Sequence, residues 1–315
     1  MMPGMDSQPQ DRFDAPAGVA VEIATPTGEQ TSGSWPPAPS RSGSAAADWV
    51  WWMAPLALLG GLVLAAIGAL AVDIPAVIFG VDVSSSHLPG GLELADTVVQ
   101  DGAFVAAAVI IARMGGRAVR AWQFGLRPPR IGRNRAILLV VVLLVGFILF
   151  SAIWAAILDV SSKEKILEQL GANEGTALLL LSAALTCVIA PICEEFLFRG
   201  FIFTALSSWR GPWPAALITG LVFGGVHAGS APAVDLVPLA ALGFGLCLLY
   251  RYSGSLYPCM AAHSLNNSLA FGSLEGWGWQ ILVLMPVALA LIAALALALK
   301  RAGVITAPPA VVATS

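Results

Sequence analysis

The sequence predicts an all-α, polytopic membrane bundle of about eight transmembrane helices. Three observations predict it. The 315-residue chain is 57% hydrophobic and 11% charged, under half the roughly 25% charge of a soluble domain, and its mean hydropathy is +0.81. Its apolar residues gather in runs near 20, the length that crosses a hydrocarbon core of about 30 Å. The basic residues concentrate between alternate runs: residues 113–135 hold seven arginines and no acid.

Residues 1–47 contain seven prolines among many Ser and Gly, too little apolar surface to fold. They are expected to form a disordered cytoplasmic tail with no secretory signal. The transmembrane domain is expected at 48–301, followed by a flexible tail at 302–315. Spans are predicted at 49–72, 94–114, 136–158, 176–208, 213–229, 234–250, 256–272 and 277–299. Trp49, Trp51 and Trp52 open the first as an interfacial belt,. The second carries Asp96, Gln100 and Asp101 and crosses only if these face the bundle or the interface. "GPWP", "SAPAVD" and "SGSLYP" break the later runs,.

Arg210, Arg251, Lys300 and Arg301 fall at span ends on the same side as the arginine-rich connection. Lys163 and Lys165, among Glu164, Glu168 and Glu174, fall on the other. The positive-inside rule then places both termini in the cytoplasm of a multi-pass cell-membrane protein. A net charge of −3 gives no reason to expect nucleic acid as a partner. Cys187, Cys193, Cys247 and Cys259 lie within apolar runs and read as buried thiols.

Against this background "CVIAPICEEFLFRGFIFTAL", residues 187–206, is anomalous. Glu194, Glu195 and Arg199 each cost roughly 2.5–3.5 kcal/mol at a bilayer centre, and ionisable groups so placed usually face a polar interior and mark function. His227 in "FGGVHAG" and His263 in "AAHSLNNSLA" also fall within predicted spans, whereas His87 falls in an external loop. The spacing of four puts Glu195 with Arg199, Phe223 with His227, and His263 with Asn267 on shared helical faces. Pro191 removes a backbone donor just before the glutamates.

Each feature has a plain structural reading. Glu195–Arg199 can neutralise charge in lipid, a histidine or Asn267 can join helices, and Gly224 and Gly225 can allow close packing. Together, however, Glu194, His227, His263 and Asn267 supply the base, metal-ligand and oxyanion-donor types that hydrolysis needs.

Glu194-Glu195-x-x-x-Arg199, Phe223-x-x-x-His227 and His263-x-x-x-Asn267, in that order, resemble the three-motif signature of the CAAX prenyl protease and bacteriocin-processing (CPBP, or Abi) family of intramembrane metalloproteases. The likeness covers about residues 180–272, within a protease core at about 176–272. "FGLRPP" at 124–129 is similar to a segment often found upstream. The resemblance implies a bundle of about eight spans and endopeptidase action on a membrane-associated peptide or protein, lipidated or bacteriocin-like, with membrane lipid around it. It implies that Glu194 activates water beside His227, that His263 and Asn267 stabilise the oxyanion, and that Glu195, Arg199 and Phe223 support them. For the cofactor it leaves two schemes: Zn2+ held by Glu194, His227 and His263, or a metal-independent glutamate base. Water is expected to enter through a cavity lined by the fourth, fifth and seventh spans. Two rivals stay open, a proton-coupled transporter and a non-catalytic scaffold or immunity protein.

Overall fold

The computed structural model describes residues 49–81, 89–158 and 175–306. The expected N-terminal tail, the loop with His87, the loop with Lys163 and Lys165, and the end of the C-terminal tail lie outside them.

Among the described residues the chain forms eight helices and no strand. They are α1 (Met53–Ile78), α2 (Gly90–Ala112), α3 (Arg133–Leu158), α4 (Thr176–Arg210), α5 (Pro212–Val226), α6 (Leu236–Ser253), α7 (Leu256–Leu274) and α8 (Gln280–Arg301). Each predicted span has its helix. Six segments are long and apolar enough to cross a membrane. Of the other two, α5 has 15 residues, about 22 Å, and cannot cross a ~30 Å core alone. α7 carries His263, Ser264, Asn267 and Ser268, which lower its apolarity.

The outer helices turn their apolar side chains outward. Leu59 on α1 is 60% exposed, Leu138 on α3 59% and Leu282 on α8 72%. In water such a surface would be a severe liability; in a bilayer it meets lipid tails, so the protein is a multi-pass membrane bundle. α1 extends to Ile78 with Pro75 inside it, six residues past the predicted span.

α4 runs through the centre and is not a regular helix. Leu185–Ile189 and Phe196–Phe203 are wound as π-helix, flanking an α-helical Ala190–Glu195. Pro191 is the second residue of that middle stretch, and the Cys187 carbonyl four residues before it loses a backbone donor. Every residue from Leu197 to Phe203 is buried. Such π turns leave carbonyls off the regular ladder and recur at functional sites. Here the neighbours take them up. Ser264 Oγ on α7 donates to the Cys187 carbonyl at 2.6 Å, and Thr204 Oγ1 donates to the Arg199 carbonyl at 3.0 Å.

Glycines bring α5 and α6 together. A Cβ on Gly224 would lie 2.5 Å from the Leu236 carbonyl oxygen, and one on Gly220 2.7 Å from that of Ala240. Gly225, one position on, faces open space. The packing reading therefore holds for Gly224 and not for Gly225.

The "FGLRPP" segment clamps the turn between α6 and α7. The Leu256 N–H donates to the Gly125 carbonyl at 2.9 Å, Arg127 Nε to the Gly254 carbonyl at 2.9 Å, and Ser255 Oγ to the Arg127 carbonyl at 2.6 Å. Gly125 adopts φ 95°, open to glycine without strain. Phe124 stacks on Phe196 of α4 at 4.3 Å between ring centroids. The segment thus fixes the start of α7 against the middle of α4.

Candidate functional site

The π-wound centre of α4 presents Glu195 and Arg199 inward, and both side chains are fully buried. Arg199 Nη1 meets Glu195 Oε1 at 2.8 Å, its Nη2 donates to the Gly243 carbonyl at 3.0 Å, and its guanidinium lies 4.5 Å from the centroid of Phe223. One cation is thereby held by α4, α5 and α6. The planar fork of arginine suits this use, since several donors and a flat face engage together.

Glu195 does more than neutralise Arg199. The same Oε1 lies 2.9 Å from Nδ1 of His263, which is 3% exposed on α7. A carboxylate oxygen accepts, so Nδ1–H donates to it and Nε2 points the other way. Nε2 stands 3.9 Å from Glu194 Oε2. That is too long for a direct hydrogen bond. Phe223 closes a wall of the site, its ring edge-on to His263 at 5.7 Å between centroids and 4.9 Å from the ring of His227.

His227 departs from the expected position. The predicted span ran to 229, but α5 ends at Val226 and His227 is its C-cap, half-buried in a turn that passes through Gly229 at φ 106°. Its Nδ1 lies 2.7 Å from the Phe223 carbonyl, so Nδ1–H satisfies an acceptor that the ending helix leaves open and Nε2 remains available. Phe223 and His227 do share a face, as their spacing predicts. Asn267 lies one turn beyond His263, and its Nδ2 donates to the Thr186 carbonyl at 2.9 Å. One amide proton is committed to the π turn and the second is uncommitted.

α4 and α7 thus bring Glu194, Glu195, Arg199 and His263 into one polar chain, with Phe223 between it and His227. The three groups proposed as zinc ligands fare differently. Among the described residues no three His, Cys, Asp or Glu side chains are placed to hold one metal ion. His263 and His227 each keep Nε2 free with Nδ1 held by Glu195 and by a carbonyl, an orientation that by itself suits a metal ligand, so it is the separation of the groups that fails. In this conformation Glu194, His227 and His263 do not form a ligand shell.

A cavity of about 430 Å³ lies between α2, α4, α7 and α8, lined by Val105, Ile192, Phe196, Tyr257, Met260 and Leu295, with Arg113 and Arg120 at one end. α5 does not line it. Ile192 and Phe196 share one face of α4, and none of Glu194, Glu195, His227 and His263 lines the cavity. Reading the sequence from the motifs alone overlooked α2. Its signal was Asp101, a charge within a predicted span, which is 2% exposed in the structure.

Residues 176–269 match the family model described as "Type II CAAX prenyl endopeptidase Rce1-like". Over 88 residues the chain is 32% identical to a Bacillus subtilis (strain 168) protein named "Putative membrane peptidase YdiL", covering 28% of this chain and 35% of that one. Over 93 residues it is 31% identical to an uncharacterised protein of Mycoplasma capricolum, covering 29% of this chain and 27% of that one. The chain therefore spans about a third or less of each relative. No solved structure matches it significantly. The matched segment, under a third of the chain, contains all three motifs and is similar over that length to the Rce1-like type II CAAX prenyl endopeptidase family.

Proposed function

We propose that the protein is an intramembrane endopeptidase that hydrolyses a peptide bond in a membrane-associated substrate, lipidated or bacteriocin-like. The observation that supports this most directly is the chain Arg199–Glu195–His263–Glu194, in which a buried carboxylate sets the tautomer of a histidine and leaves its free nitrogen 3.9 Å from a second carboxylate. Structural pairing accounts for Glu195 with Arg199. It does not account for two further ionisable groups meeting at that separation within the bilayer.

In this reading a water sits between Glu194 and His263 Nε2, and His227 orients it through its own Nε2. Glu194 takes one proton, and the oxygen attacks the carbonyl carbon of the substrate. The resulting oxyanion is met by the uncommitted amide proton of Asn267, while Nε2 of His263, held in place by Glu195, accepts a hydrogen bond from the hydroxyl that the attacking water has become. Glu194 then passes its proton to the leaving amine, and the C–N bond breaks. Because the described residues do not gather a ligand shell, the route uses the glutamate base alone. Zn2+ enters no step. Both termini lie in the cytoplasm in this scheme, with the arginine-rich connection beside them.

Cleavage of a fluorogenic lipidated peptide by purified protein tests the proposal. Glu194→Ala is expected to lose about 10²–10⁴-fold in turnover, as for removal of a general base, with His227→Ala and His263→Ala also impaired. Equal turnover in all four proteins would end the hydrolase reading. Activity surviving thorough chelation supports the metal-free route, while loss reversed by Zn2+ alone overturns it.

A further inference from the structure

Two carbonyls of α4 lose a donor to the same proline. Leu185–Ile189 is π-wound, and the Ala190 N–H donates to the Leu185 carbonyl five residues back. One residue further in that register, the N–H of position 191 would meet the Thr186 carbonyl. In the α register that follows, it would meet the Cys187 carbonyl. Position 191 is proline, which supplies neither,. A carbonyl short of a donor is costly inside a bilayer, where no water replaces it.

Both carbonyls are taken up by α7, which packs along α4 across this junction. Ser264 Oγ donates to the Cys187 carbonyl at 2.6 Å, and Asn267 Nδ2 donates to that of Thr186 at 2.9 Å. The two side chains are three positions apart and share a face of α7. Ser264 is fully buried and belongs to none of the three motifs. His263, beside it in the chain, reaches α4 on the other side of Pro191, with Nδ1 2.9 Å from Glu195 Oε1. α7 is therefore fastened to α4 at Thr186 and Cys187 before the proline and at Glu195 after it. One fastening would leave the helix free to turn or slide. Fastenings on both sides of the proline fix its rotation and its height.

We propose that Ser264 is a positioning residue for His263. Its hydroxyl stands in for the N–H that Pro191 lacks, and in doing so it sets α7 against α4. That setting holds Nε2 of His263 at 3.9 Å from Glu194 Oε2. Pro191 thus frees an acceptor in the helix of the glutamates for a donor in the helix of the histidine. The inference deepens the peptidase reading and rests on it for the effect on turnover.

The test compares wild type, Ser264→Ala, Pro191→Ala, their double variant and Glu194→Ala in the same lipid vesicles, with a fluorogenic lipidated peptide as substrate. Pro191→Ala returns the backbone donor, so it separates satisfying the carbonyl from holding α7. Ser264→Ala lowers the unfolding midpoint, and adding Pro191→Ala restores it. In Ser264→Ala, kcat per folded protein falls about 10–10²-fold, the scale of a misplaced catalytic group, with KM unchanged. The same fall persists in the double variant relative to Pro191→Ala alone. Recovery of kcat together with stability would show that the hydroxyl only satisfies a carbonyl, and would overturn the inference, as would wild-type kcat in Ser264→Ala. Nitrogen NMR of protein labelled at its histidines gives a readout independent of turnover. The Nδ1–H signal of His263, identified by its loss in His263→Ala, moves in the double variant relative to Pro191→Ala. An unmoved signal would overturn the positioning role. No cleavage by wild type, or full activity in Glu194→Ala, would instead overturn the peptidase reading, while the NMR signal still decides the role of Ser264.

Discussion

Glu195 and His263 stand 68 positions apart in the chain, yet Oε1 of one lies 2.9 Å from Nδ1 of the other. The same oxygen holds Arg199. One carboxylate oxygen therefore joins α4 to α7 and, through the arginine, to the backbone of α6. Removing it leaves a buried guanidinium with no counter-charge. Glu195→Ala is expected to lower stability by about 3–5 kcal/mol, the usual cost of breaking a buried pair from one side. Glu195→Gln keeps an acceptor in place and should cost less. Chemical unfolding in detergent micelles, followed by tryptophan fluorescence, measures both.

Arg199→Lys tests the geometry of the cation rather than its charge. A single ammonium cannot meet Glu195 and the Gly243 carbonyl while lying flat on Phe223. The variant should lose about 1–3 kcal/mol for the unsatisfied buried partner, and turnover should fall with it. A double-mutant cycle with Glu195→Gln should return a coupling of about 0.5–3 kcal/mol. Zero coupling would mean that the two side chains act independently.

Gly224 and Gly225 are neighbours with opposite expectations. An alanine methyl at 224 meets the backbone of α6, while one at 225 meets nothing within 4 Å. Gly224→Ala should cost about 1–3 kcal/mol of overpacking and displace His227, three residues on, so that turnover falls too. Gly225→Ala should match wild type in both unfolding and activity assays.

Asn267 spends one amide proton on the Thr186 carbonyl. Asn267→Ala should therefore lose about 1–3 kcal/mol of stability, the penalty of a buried acceptor left unmet, besides its effect on catalysis. Asn267→Asp should be worse on both counts, because a carboxylate placed against that carbonyl repels it. Unfolding midpoints and single-turnover rates of the two variants separate these contributions.

Much of this architecture was legible in the residues. Apolar run length and glycine–proline breaks located all eight helices, and spacings of four put Phe223 with His227 and Glu195 with Arg199 on common faces. What escaped the sequence was tertiary. Spacing along one helix says nothing about which neighbour it meets, so Glu195 read as the partner of Arg199 alone and its bond to His263 was invisible. The end of α5 was misplaced because Gly229 was read as part of an apolar run, when its backbone conformation belongs to a turn. The packing of α2 against α4 was missed because the motifs direct attention to 176–272, and Asp101 belongs to no motif.

The π winding of α4 has one more consequence. Phe196–Phe203 carries more residues per turn than an α-helix, so the segment holds surplus chain in register only through its neighbours,. Deleting a single residue there would let the helix rewind to the common pitch and move the side chains of the wound stretch onto other faces. The glutamates and the arginine would then look in different directions with no substitution made to any of them. Length, as much as chemistry, is under constraint in this stretch.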